Sequence, residues 1–184
     1  MNREKSIIHY EFFCIIFVAI LGTILHFTYD LSHQNPIVAS FSSVNESVWE
    51  HLKLLFFPTL LTIIIGCILH KDILYQYLSS KVNGLLSTMW FIVIFYFTYV
   101  GILGQNIALI DILSFFVAII LSEYITLKKL IASKPSNWKL SLAILIVLFI
   151  CFIIFTFIPP KIGLFQDPIT GTYGITQSWF HTTS

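Results

Sequence analysis

The sequence predicts an all-α integral membrane bundle of five transmembrane helices, with the N-terminus cytoplasmic and the C-terminal tail extracytoplasmic. Three observations carry this prediction. The 184-residue chain is 57% hydrophobic and only 10% charged, with a mean hydropathy of +0.89, a composition well outside that of soluble domains. Its apolar residues fall into five runs of about the 20 residues that a helix needs to cross a bilayer. Its basic residues gather on one side of those runs.

The first run, residues 7–30, follows a charged MNREK segment. It is too long for the core of a signal peptide and no small-x-small cleavage pattern follows it, so it reads as a retained helix. Next comes the loop and helix start QNPIVASFSSVNESVWEHLKLLFFP. Ser43 and Glu46 fit the S-x-x-E capping box, which places a helix start near Val44, with Ser43 as N-cap and the Glu46 carboxylate bonded back to it. Trp49 then reads as an interfacial anchor and Lys53 as a cation that snorkels outward. The second run covers residues 52–70, where Pro58 frees the Leu54 carbonyl and is expected to kink the helix.

The third run, residues 85–103, leads through a short turn at Gly104, Gln105 and Asn106 into the fourth, residues 107–127. Asp111 lies in the first turn of that fourth helix, where the helix dipole favours an acid. Glu11 and Glu123 read either as lining the bundle interior or as pairing with cytoplasmic lysines. The fifth run is residues 138–158. Residues 159–184 complete this single membrane domain with an aromatic tail whose turn signals at Pro159-Pro160, Asp167-Pro168 and Thr170-Gly171 suit a flap over the outer helix ends.

Orientation follows from the placement of Lys and Arg, which are held on the cytoplasmic side. With the N-terminus inside, that side holds Arg3, Lys5, Lys71, Lys81, Lys128, Lys129, Lys134 and Lys139, against Lys53 and Lys161 outside. The expected location is the plasma membrane, with the lipid bilayer as first partner and a second copy or another membrane protein as a further one. The formal charge of +1 lacks the clustered basic excess of a nucleic-acid binder. Cys14, Cys67 and Cys151 each lie inside an apolar run without metal-type spacing and read as small buried hydrophobes.

The outer side collects His26, His33, His51 and His181 with Asp30, Glu46, Glu50, Asp111 and Asp167. His26 and Asp30, four residues apart, share a helix face. A helix from Val44 puts Glu46 and Glu50 on one stripe and Asn45 and Trp49 on the next, with His51 about 100° around from Glu50. Imidazoles and carboxylates at such spacings suit a divalent metal such as zinc. The candidate ligands are His26, Glu46, Glu50 and His51; Glu50, His51 and Asp111 are the candidates for chemistry. Asp30, Asn45, Trp49, Asp167 and Tyr173 are the expected supporting partners, and His181 could complete the set.

The chain resembles an uncharacterised family of small bacterial polytopic membrane proteins through LHFTYD (residues 25–30), FSSVNESVWEHLKLLFFP (residues 41–58) and PPKIGLFQDPITGTYGI (residues 159–175). That resemblance implies no activity. A looser likeness, of Asp, Glu and His at helix ends to membrane-embedded hydrolases of the ceramidase and adiponectin-receptor type, is an analogy in chemistry alone, since those have seven spans and another ligand order. Two functions are therefore expected: a binding, transport or accessory role for the polar cluster, which the lack of a catalytic motif favours, or a metal-dependent hydrolase acting on a lipid or envelope substrate.

Overall fold

The computed structural model describes residues 3–132 and 137–175. Five helices are long and apolar enough to cross a membrane. They are α1 (Arg3–Leu31), α3 (Val48–Leu69), α4 (Leu74–Leu103), α5 (Ala108–Ile131) and α6 (Trp138–Phe157), with the four-residue α2 (Pro36–Ala39) in the first connection. Among the described residues no strand forms, and the sole β feature is an isolated bridge between Gln166 and Tyr173.

Several boundaries differ from the sequence expectation, each for a physical reason. Helix α3 starts at Val48 and its N-cap is Ser47, whose hydroxyl accepts the Glu50 amide at 3.3 Å. The capping motif used is therefore Ser47 to Glu50, four residues beyond the expected Ser43 to Glu46. Helix α4 begins eleven residues before the expected residue 85, because Tyr77, Ser79, Ser80 and Lys81 are buried against neighbouring helices instead of lying in a cytoplasmic loop. Helix α1 reaches back to Arg3, which pairs with Asp72. Helix α3 runs without a break through Pro58.

Helix α4 packs on α3, α5 and α6, and α1 packs on α3 and α5. Outward faces carry Phe12, Trp90, Ile102, Leu109 and Val147, all exposed, as a bundle surrounded by lipid requires. With little hydrophobic drive between helices in a bilayer, close approach through small residues does the work. At Gly84 on α4 an added Cβ would lie 2.5 Å from the Ser122 carbonyl oxygen and 2.6 Å from Thr126 Oγ1 of α5. At Gly22 on α1 it would lie 2.7 Å from the carbonyl oxygen of Leu54, the one that Pro58 releases from helix bonding.

The two ends of the bundle have opposite character. The pair Arg3 and Asp72, the bond from Gln76 to the Leu130 carbonyl and the stack of Tyr75 on Trp138 gather one end, which carries Lys5, Lys71, Lys128, Lys129 and Lys139 as well. The other end holds the loop of residues 32–47, the α4 to α5 turn and the tail. Of the two remaining lysines placed in helices, neither lies in water: Lys53 is 0% and Lys81 1% exposed, which corrects both the snorkelling and the loop assignments.

Gly84→Ala is expected to separate α4 from α5 and to cost about 1–3 kcal/mol, the usual range for an overpacked core. Gly101→Ala, with nothing within 4 Å of the new methyl, should leave stability unchanged or raise it by up to about 1 kcal/mol, since glycine is a poor helix former. Thermal unfolding of the detergent-solubilised variants reads the difference.

Candidate functional site

The site is built on a stapled loop. The Ser42 hydroxyl donates to the Leu25 carbonyl in a short bond and accepts from the Tyr29 amide at 3.0 Å and the Thr28 hydroxyl at 2.9 Å. This ties the loop to the last turns of α1, whose own amides and carbonyls need partners there. The Glu50 carboxylate accepts the Val44 amide at 3.1 Å, and Asn45 Oδ1 accepts the Ser47 amide at 2.9 Å. Glu46 is left on the intervening turn, facing α1.

His26 of α1, Glu46 of the loop and His51 of α3 converge. His26 Nε2 lies 3.7 Å from one Glu46 oxygen and His51 Nε2 lies 3.5 Å from the other. One ligand atom from each of the three falls within 4.8 Å of the other two. The imidazole rings are 5.3 Å apart between centroids. His51 Nδ1 is 3.0 Å from the Ser47 carbonyl; a carbonyl can only accept, so Nδ1 carries a proton and Nε2 is the nitrogen turned towards Glu46. All three side chains are partly exposed, between 28% and 43%.

The cluster stands at the mouth of a cavity of about 320 Å³ between α1, α3, α4 and α5. Its walls are mainly apolar, with Gly22, Leu54, Ile92 and Phe115 at depth and the exposed Phe27, Ile112 and Phe116 at the rim. Asp111 is a second polar group on this wall. Its carboxylate accepts a short bond from the Tyr99 hydroxyl, which in turn accepts the Ile107 amide at 3.3 Å.

The other candidates are placed elsewhere. Glu50, 2% exposed, is turned away from His26 and into the bundle, where Lys53 Nζ lies 2.6 Å from its carboxylate. The same ammonium donates to the Ala39 carbonyl at 2.7 Å and to Thr156 Oγ1 at 2.8 Å. Thus Glu50, which capping did not account for in the sequence, has a structural partner, and Glu46, which capping did account for, has none of that kind. Trp49 is no interfacial anchor: it is 8% exposed and packs on Phe152, Phe155 and Phe165 at 4.5 to 5.6 Å between centroids. Asp30 is exposed, and the carboxylate that approaches His26 is that of Glu46 in its stead.

The tail secures this arrangement from above. Asp167 is buried, accepts the amides of Ile169 and Thr170 at 2.7 and 3.1 Å, and takes the Glu46 amide at 3.4 Å. Asn45 Nδ2 donates to the Gly174 carbonyl at 3.0 Å. Tyr173 packs against the apolar core next to its bridge with Gln166. Asn45 and Asp167 therefore position the turn that carries Glu46. His181 lies outside the described residues. Ser47, Tyr99 and Thr156 were not singled out by the sequence; Ser47 alone had a signal, as the first residue of a second S-x-x-E.

Lys53→Met leaves the Glu50 carboxylate buried without its cation and is expected to destabilise the protein by about 3–5 kcal/mol, whereas Glu50→Leu combined with Lys53→Met should recover most of that loss. Equilibrium unfolding of the single and double variants measures it.

No curated protein and no solved structure matches the chain. The profile of a family of unknown function (DUF6512) matches residues 1–175, which takes in all five long helices, the stapled loop and the described part of the tail. The chain belongs to that family.

Proposed function

We propose that this is a multi-pass plasma-membrane protein that binds a divalent metal ion, zinc by its donor chemistry, at the outward-facing mouth of its cavity, and there engages an amphiphilic ligand. The observation that carries the reading is the convergence of His26, Glu46 and His51 from three separate elements onto one point. Two ligands about 2 Å from one zinc ion lie at most about 4 Å apart, and the two contacts of Glu46 with the imidazoles, 3.7 and 3.5 Å, already meet that limit. The orientation rests on the lysines gathered at the opposite end of the bundle, which the positive-inside rule puts in the cytoplasm.

A polar head on the metal with an apolar portion against Leu54, Ile92 and Phe115 fits walls of this composition. A second reading, hydrolysis, is favoured by one further observation. Two imidazoles and a carboxylate are the donor set of zinc sites that keep an open fourth position, and Asp111 shares the cavity as an acid or base for a metal-activated water.

Calorimetric titration of zinc into the chelator-stripped, detergent-solubilised protein should give one ion per chain. Binding should weaken as the pH is lowered to about 5, because imidazole must be neutral to ligate. His26→Ala, His51→Ala and Glu46→Gln should each cost more than the roughly 10–100-fold that loss of an outer partner costs. An absence of binding, or full stoichiometry in the triple variant, would sink the proposal. If the second reading holds, Asp111→Asn keeps the zinc and loses turnover of an ester or amide amphiphile.

A further inference from the structure

A second charged cluster lies inside the bundle, towards the lysine-rich end and apart from the cavity. Lys81 Nζ of α4 sits 2.8 Å from a Glu11 oxygen of α1 and 2.6 Å from a Glu123 oxygen of α5. Glu11 is 0% exposed, and Lys81 and Glu123 are each 1% exposed. Each of the three stands seven or eight residues from the nearer end of its helix, which at 1.5 Å per residue is about 10–12 Å along the bundle.

Two carboxylates against one ammonium leave a net negative charge in a closed interior. An uncompensated buried charge of this kind is far costlier than a neutral, hydrogen-bonded set. One more positive charge removes the cost. Carboxylate oxygens of Glu11 and Glu123 lie within 4.8 Å of each other and of Cys14 Sγ, and Lys81 already takes the place a metal would occupy between them. What remains to be bound is a proton.

Independent atoms mark where it goes. Among the described residues, three buried polar atoms here have no close hydrogen-bond partner: Glu11 Oε1, the Tyr77 hydroxyl and His70 Nε2. The Tyr77 ring is 5.3 Å from that of His70, and both rings stand against Tyr10, whose hydroxyl donates to the Thr62 carbonyl at 2.7 Å. His70 caps the end of α3 at the lysine-rich end. The Tyr77 hydroxyl in turn faces the Glu11 carboxylate, so these groups form a series from that end to Glu11.

We propose that Glu11, Lys81 and Glu123 form a proton-binding site, in which the two carboxylates share one proton exchanged with the lysine-rich face by way of Tyr77 and His70. The remaining titratable groups facing it are Tyr10 and Cys14 on α1 and Cys67 on α3. No bond to carbon changes: the proton moves between carboxylate oxygen, phenol oxygen and imidazole nitrogen, with water bridging the gaps. Such buried acid chains inside membrane helices are the usual means of moving or sensing protons there.

Infrared spectroscopy of the intact protein in lipid tests this, because a protonated carboxylic acid has its own C=O stretch. At neutral pH the wild type should show that band, and it should shift in heavy water. Glu11→Gln and Glu123→Gln each leave one carboxylate against Lys81 and should both lose the band. Tyr77→Phe should keep the band but slow its isotope exchange about tenfold, which is about 1.4 kcal/mol of barrier. A wild type with no such band near neutral pH overturns the proposal, with no variant needed. Survival of the band in both glutamine variants overturns it as well, and unchanged exchange in Tyr77→Phe overturns the route.

Discussion

The ammonium of Lys53 holds the histidine end of the molecule together. It touches the Glu50 carboxylate, the Ala39 carbonyl at the end of α2 and the Thr156 hydroxyl of α6, so three separate stretches of chain meet on one charge. Glu50 passes the constraint on by accepting the Val44 amide, which fixes the turn that presents Glu46. A lysine buried to this degree must have all its donors used. Here the use of each one sets the position of an element around the cavity mouth, and the separation of His26, Glu46 and His51 depends on that positioning. The tail adds a second restraint on the same turn through Asp167 and Asn45.

Much of the architecture was legible in the sequence because bilayer physics permits few solutions. Five apolar runs about 20 residues long could only be helices, since no other open structure satisfies its backbone groups in hydrocarbon. Boundaries were less legible where polar residues are buried. Residues 74–84 read as a loop on hydropathy, yet they form the first third of α4, because Lys81 and Ser79 bond to other helices and the Tyr77 ring packs on Tyr10, none of which a local pattern reveals. The same blindness applied to Lys53.

At the site, residue types were legible and their roles were not. The motif S-x-x-E occurs twice within eight residues, at Ser43 and at Ser47, and the choice between them decides which glutamate faces the bundle. Using Ser47 as the cap turns Glu50 inward to Lys53 and leaves Glu46 free to face the imidazoles. Local sequence gives both registers similar capping chemistry; what separates them is the long-range bond from Lys53 to Thr156, over a hundred residues away. His26 and His51 stood out in the sequence as ionisable side chains near the ends of apolar helices, but nothing local placed both of them against Glu46.

The two charged clusters also differ in what each can accept. In the interior, Glu11, Cys14 and Glu123 have metal-ligand atoms within reach of one another, but the Lys81 ammonium stands between the carboxylates and the surroundings are closed, so a divalent ion would have to displace a cation that has nowhere to go. At the histidine end the balance is reversed. Glu46 faces two imidazoles that can be neutral, no lysine among the described residues intervenes, and the side chains are open to solvent and to the cavity. A divalent ion there gains ligands that can be ready-made and leaves with no displaced charge to rehouse. The two proposed sites thus suit two kinds of positive charge by their geometry: a small one that would share a buried carboxylate pair with a lysine, and a larger one whose coordination would need the open mouth that Lys53 holds in shape.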